Sequence, residues 1–309
     1  MAAPIIYRWD DANAPVARGE RTSLIEILTA CLVDGYGDKP GAGWMRQFVN
    51  AEGTKAVFRN NPVAGTGFVL QINGATSAAA NLHIVTAAEA ASDLDTLLFS
   101  FGEFTCRTSN AVGTAARPWF LIADDRAFYF FVYPQQATSA TLTITAIGSS
   151  PFFFGDPVSV WPDDTYCCAL GGVNQSAYSD GSLFLKGYIE TTSGGPGSFW
   201  IARSLTDAKK THVCLFALSH YTNNAPLPSL GRVAGQHEPV YLFRPALSDG
   251  IAYKQRGWMP GLYYASSKPT LSCGDVILVD GQPFVFMGGE GVSVSLYYGI
   301  YISMQDWRP

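Results

Sequence analysis

The segment RPWFLIADDRAFYFFVY, residues 117–133, constrains the fold more than any other part of the chain. Two apolar runs, Trp119-Phe120-Leu121-Ile122 and Phe128-Tyr129-Phe130-Phe131-Val132-Tyr133, flank the break Asp124-Asp125-Arg126. A strand with one wet face alternates apolar and polar residues. The second run does not: Phe128, Phe130 and Val132 belong to one face, and Tyr129, Phe131 and Tyr133 to the other. An open face would leave an unusually large apolar patch, so both faces need a cover. The pattern predicts an antiparallel hairpin with strands at 118–123 and 127–133 around a loop at 124–126. A helix is expected over one face, and another sheet or subunit over the other.

That helix is written at 23–33. Ser23-Leu24-Ile25-Glu26 fits a capping box. Leu24, Ile27, Leu28, Cys31 and Leu32 follow at spacings of three and four, and Asp34-Gly35 offers a left-handed stop. Elsewhere, short runs rich in β-branched and aromatic residues stand between turn clusters. Strands are expected at 56–59, 67–72, 82–86 and 141–146. In the second half they are expected at 158–161, 166–170, 183–190, 199–202, 213–219, 240–243, 276–279, 283–287 and 292–303. Two loops rich in Gly, Pro, Ser and Asn lie at 191–198 and 221–229. The 31 glycines and 18 prolines favour turns over long helices. The fold class is mainly β, α+β in the N-terminal part, with antiparallel sheets forming β-sandwich-like domains and one N-terminal helix. A length of 309 residues favours two domains: an N-terminal α+β domain at 1–148 and a C-terminal β-rich domain at 149–309.

Composition narrows the function classes. Charged residues make up 15%, against roughly 25% in ordinary globular domains. The net charge is −5 and no basic stripe exists, which argues against nucleic acid as a partner. The start MAAPIIYRWDD lacks a basic region followed by an apolar one, so no secretory signal is expected. No apolar run is long enough for a membrane span. The cysteines, at 31, 106, 167, 168, 214 and 273, form no CxxC, and His83, His212, His220 and His237 do not join them at zinc-ligand spacing. Free buried thiols made in a reducing cytoplasm, and no metal, are the expectation.

Paired carboxylates could carry acid–base chemistry. Adjacent residues on a strand point to opposite faces, however, and glycosidase carboxylates sit roughly 5–10 Å apart across the bond they cleave. Asp124-Asp125 is therefore read as a turn, as are Asp163-Asp164 and Asp10-Asp11. The stretch Gly194-Gly195-Pro196-Gly197 has no Lys-Ser/Thr and reads as a flexible loop, and no nucleophile elbow, zinc helix or dinucleotide fingerprint occurs. No catalytic residue and no cofactor is expected. The candidate contact residues are aromatic: Trp258, Tyr263 and Tyr264 around the GWMPGLYY stretch, for a glycan or a partner protein, and Phe130 and Phe131 in the hairpin, for an interface.

Several motifs, in order, resemble a family of structural proteins from tailed bacteriophages of the long, non-contractile type. The N-terminal block carries Ala14-Pro15, then Leu32–Lys39 with Ala42-Gly43-Trp44, then Ala56–Arg59 on a strand. The ADDRxFY hairpin of 123–129 is similar, as are Phe153-Phe154-Gly155-Asp156 followed by 162–167, the stretches at 201–204 and 259–263, and the ending at 302–307. Residues 73–80 and Cys168 depart from the pattern. The resemblance implies a virion tail protein made in the host bacterial cytoplasm. It would be a minor tail-tip or baseplate component that holds neighbouring tail proteins together as a homo- or hetero-oligomer. The alternative is a tail protein that binds a receptor or glycan on the host surface. The resemblance supplies no catalytic residues. Low charge and high apolar content are compatible with large permanent interfaces.

Overall fold

The computed structural model describes residues 3–134, 137–138, 151–161, 164–173, 197–203, 211–216, 246–249, 254–265, 271–293, 296–305 and 307–308. The fold is mainly β, and its described sheet pairings are all antiparallel. The expected hairpin is its centre. Trp119–Ala123 pairs with Ala127–Val132, Trp119 opposite Val132 and Ala123 opposite Phe128. All residues of both strands are buried.

The alternation read from the sequence separates two cores. Phe128, Phe130 and Val132 lie in one cluster with Leu24, Ile27 and Leu28. Tyr129, Phe131 and Tyr133 lie in another with Leu262, Val285, Ile300 and Ile302. The hairpin thus belongs to the middle of three layers. This middle layer is a sheet of ten described strands that begins with Ile5–Arg8, Trp119–Ala123, Ala127–Val132 and Phe152–Gly155. It continues through Ala169–Val173, Gly197–Ile201, Thr211–Phe216, Ala246–Asp249, Lys254–Trp258 and Val158–Ser159.

One outer layer is the sheet Met45–Val49, Lys55–Arg59, Val69–Asn73, Leu82–Ala91 and Leu97–Arg107, in that spatial order. Its inner face, with Phe58, Leu70, Val85 and Phe104, joins the first core together with the helix. The other outer layer has the order Leu262–Ala265, Leu296–Ser303, Gln282–Ser293, Val276–Val279. Both faces of the aromatic hairpin are therefore covered by sheets of the same chain, and a second subunit is not needed to bury either.

Small residues let the layers approach. A Cβ placed on Gly102 would sit 2.8 Å from the Trp200 ring, and one on Gly172 would sit 2.6 Å from Phe104. Each sheet thus offers a glycine to an aromatic ring of the other, in keeping with close-packed interiors.

The helix is shorter than expected and changes type. Ser23–Leu28 is α-helical and Thr29–Asp34 is a π-helix, ended by Gly35 at φ 80°. The wider turn leaves the carbonyls of Cys31 and Leu32 to accept from Ala42 N and Trp44 N, each at 3.0 Å. The capping box is not formed. Thr22 is the N-cap without a side-chain bond, Glu26 is exposed, and Ser23 Oγ accepts from Arg18 N at 2.8 Å instead.

The expected strands at 56–59, 276–279 and 283–287 fall within observed ones, and that at 67–72 overlaps one displaced toward the C-terminus, Val69–Asn73. Those at 141–146, 183–190 and 240–243 lie outside the described residues. The sequence reading missed Ile5–Arg8, Ala17–Gly19, Met45–Val49, Leu97–Arg107, Gly113–Arg117, Phe152–Gly155, Ala246–Asp249, Lys254–Trp258 and Leu262–Ala265. The expected domain division near 149 falls between strands of one sheet: Ala127–Val132 pairs directly with Phe152–Gly155. The two halves are thus joined through the middle layer.

Candidate functional site

A polar cluster gathers at the tip of the hairpin. Asp124 Oδ1 accepts from Arg126 N (2.8 Å) and Ala127 N (2.7 Å), and Asp124 N donates to Ala127 O (3.0 Å). This is the local backbone satisfaction that aspartate provides in turns. Its other oxygen accepts from Arg308 Nε at 3.2 Å, with both side chains nearly buried. Trp44 Nε1 donates to Asp124 O at 2.9 Å.

Asp125 points elsewhere. It is more exposed, and its Oδ2 accepts from Asn61 Nδ2 at 3.0 Å, while its carbonyl accepts from Asn61 N at 3.0 Å. The two adjacent carboxylates have separate partners and do not flank a common space.

Asp156 sits behind the tip. Its oxygens accept from Thr66 Oγ1 (2.7 Å), Thr66 N (2.8 Å) and Asn60 Nδ2 (3.0 Å), and its N donates to Arg126 O at 3.2 Å. Burial outweighs these donors and raises its pKa above the ordinary carboxylate value. The cluster places Asp156 against Asn60, the Thr66 hydroxyl, which donates to it, and the buried Cys168 thiol, whose pKa is raised by burial and by the Asp156 charge. These contacts clamp together the loop at 60–66, the hairpin and the strand Phe152–Gly155.

A second clamp holds the segment after Val158–Ser159. Arg256 and Asp164 are both buried and form a bidentate pair, and Arg256 also donates to Arg203 O. Arg203 in turn pairs with Glu89 of the first outer sheet, and its guanidinium lies 4.1 Å from the Tyr166 ring centre and 5.6 Å from that of Phe99. Phe99 is 73% exposed at φ 55°. A bulky residue in the left-handed region is strained, and here no burial offsets it. Trp161 and Tyr166 are also exposed.

The expected contact residues are distributed differently. Phe130 and Phe131 are buried on opposite sides of their strand, so neither is a surface contact, because the two outer sheets of this chain cover them. Trp258 ends a strand of the middle sheet, opposite Val158 and Ala246, and is half-buried. Tyr263 belongs to the C-terminal sheet, with its ring edge-on to Phe284 at 5.2 Å. Tyr264 pairs with Ile300 in the next position, and its side chain lies outside the description. Trp258 and Tyr263 thus stand on strands of two different sheets. Among the described residues, Phe99, Trp161 and Tyr166 are the exposed aromatic rings. The sequence reading places Trp161 and Tyr166 on the expected strands 158–161 and 166–170, and does not mark Phe99.

Among the described residues no group of three or more His, Cys, Asp or Glu side chains could hold a metal ion. His220, His237, Asn174 and Gly194-Gly195-Pro196 lie outside those residues. Cys31, Cys106, Cys167, Cys168 and Cys273 are buried and form no disulfide, and burial pushes their thiols up, which keeps them protonated. No described helix is long and apolar enough to cross a membrane. No protein-family model and no curated protein matches this chain.

Proposed function

We propose that this chain is a structural component of a bacteriophage tail, located in the tail tip or baseplate, where it joins neighbouring tail proteins. One observation carries the reading. The separate motifs behind the family resemblance meet at the hairpin tip. Trp44 bonds to Asp124, Asp156 to Arg126, and Arg308, next to the closing Trp307, to Asp124. Trp307 itself lies edge-on to Tyr129 at 5.5 Å. Motifs that converge on a clamp are accounted for by architecture, and none has to be assigned to chemistry. The test is deletion of the gene from the phage: tailless or tipless particles are expected, whereas normal tails with lost adsorption would favour host binding.

A second reading, a receptor- or glycan-binding tail protein, is favoured by a different observation. Tyr166 and Phe99 are exposed beside an Arg203 held by Glu89, and exposed rings are surfaces on which sugars stack. Phe99→Ser in otherwise normal particles distinguishes the two: unchanged adsorption supports the structural reading, and lost adsorption supports host binding.

A further inference from the structure

The strand Val276–Val279 lies at one side of the C-terminal sheet, and among the described residues no strand pairs with its outer side. The turn that follows it fixes which backbone groups face outward. Asp280 (φ 51°) and Gly281 (φ 75°) form a two-residue loop with both residues left-handed, so Val279 and Gln282 are the closing bonded pair. Bonded and non-bonded pairs alternate along antiparallel strands. Ile277–Phe284 is then bonded, and Val276–Val285 and Leu278–Pro283 are not. Pro283, which has no N–H, suits its non-bonded place. The N–H and C=O groups of Val276 and Leu278 therefore point away from the sheet.

The side chains of the same two residues are also uncovered. Ile277 and Val279 pack on Phe284, Phe286 and Tyr301. Val276 and Leu278 share the opposite face with Val285, the face turned to the middle sheet. They are nevertheless 58% and 72% exposed. An edge with outward backbone groups and apolar side chains is a template for strand addition.

We propose that this edge docks an extended segment of another protein, apolar at alternate positions and basic at both ends. Charge selects that occupant. Asp275 and Asp280 stand exposed at the two ends of the strand. Arg8, which donates to Gly274 O from the neighbouring edge of the middle sheet, is paired first with Asp10 and interacts more weakly with Asp275, whose Oδ2 also accepts from Ser272 N at 2.7 Å. A second copy of this chain, added antiparallel, would lay the acidic ends of the two strands beside each other, and like charges across a strand pair are destabilising. The proposal rests on the edge alone and does not depend on the tail reading.

The test is backbone amide exchange on the full chain, titrated with the synthetic peptide Lys-Lys-Val-Thr-Val-Thr-Val-Lys-Lys and with its counterpart carrying Glu in place of each Lys. The basic peptide is expected to slow exchange at Val276 and Leu278 by roughly tenfold or more, and the acidic one to leave both unchanged. Leu278→Pro removes an outward N–H without touching the ladder to Gln282–Ser293, so it should abolish the protection while the unfolding midpoint stays put. Should the proline variant fail to fold, Leu278→Lys, which places a like charge against the basic peptide, serves in its place. The proposal is overturned if the basic peptide gives no protection, if the acidic peptide protects equally, or if a folded variant is protected like the parent. It is also overturned if protection arises without peptide and grows with protein concentration, the result that marks a second copy as the occupant.

Discussion

Asp124 and Asp125 are neighbours with different burdens. Asp124 is nearly buried, satisfies two amides and faces Arg308, whereas the Asp125 side chain is 40% exposed. Removing one partner of a buried pair typically costs about 3–5 kcal/mol, and exposed pairs are worth about 0–1 kcal/mol. Asp124→Ala should therefore destabilise the chain by about 3 kcal/mol, and Asp125→Ala by less than about 1 kcal/mol, as read by urea unfolding. Equal effects would contradict the clamp. His83 gives a second prediction at this scale. It is fully buried, its ring nitrogens face the backbone of Glu20 and Arg21 without a well-formed hydrogen bond, and burial pushes its pKa down to about 4. The unfolded chain then binds the extra proton first, so this residue's contribution falls as pH drops from 6.5 toward 4 and is fully present above that window. The loss amounts to about 3 kcal/mol. Asp156, with its pKa raised, acts in the opposite sense: its contribution is lost as pH rises from the ordinary carboxylate value through its raised one. His83→Leu should lose less stability between neutral pH and pH about 4.5 than the parent does, measured by unfolding at each pH. An unchanged acid limb would show that His83 does not set it.

At the scale of elements, the strand Ala127–Val132 is the most sensitive. Phe130→Asp and Phe131→Asp each put an unpaired charge into one of the two cores, which a domain of ordinary stability cannot carry. Neither variant should give folded protein, and a native circular-dichroism signal with cooperative unfolding from either one would contradict the two-sided burial. Gly172→Ala tests the packing of the layers. Its Cβ would strike Phe104, and overpacking of this kind costs about 1–3 kcal/mol. The same strand shows what could be read in advance. An aromatic run with no polar alternation stated that both faces are buried, and two core clusters divide along that alternation. The helix stripe was legible too, but its end was not, because the π turn is set by Ala42 and Trp44, which take the carbonyls of Cys31 and Leu32 from outside the helix. Strands such as Gly113–Arg117 and Ala246–Asp249 have ordinary local sequences and owe their form to tertiary pairing, the usual limit of β propensity. The polar cluster joins residues 44, 60, 66, 124, 156 and 308. Such distances in sequence leave no local spacing to read, so Asp124 was recognisable as a turn residue and not as the partner of Arg308.

At the scale of the whole molecule, three of the four sheets among the described residues share the two largest cores, and the middle sheet pairs Ala127–Val132 with Phe152–Gly155, which stand on either side of the 139–150 segment in the sequence. A fragment covering 1–148 would lose the strand paired with Ala127–Val132 and the sheet that covers Tyr129 and Phe131. It should be insoluble or readily digested, whereas the full chain nicked in that segment should stay associated on a sizing column; a stable, protease-resistant 1–148 fragment would contradict the shared sheet. The aromatic surface of the hairpin is thus buried within one chain, and under the proposed tail role association with other proteins would fall to exposed edges and loops. The direct test of the tail assignment is quantitative mass spectrometry of purified phage particles. The account predicts peptides of this chain at a fixed ratio to other tail proteins. Particles with complete tails that lack the chain would contradict it.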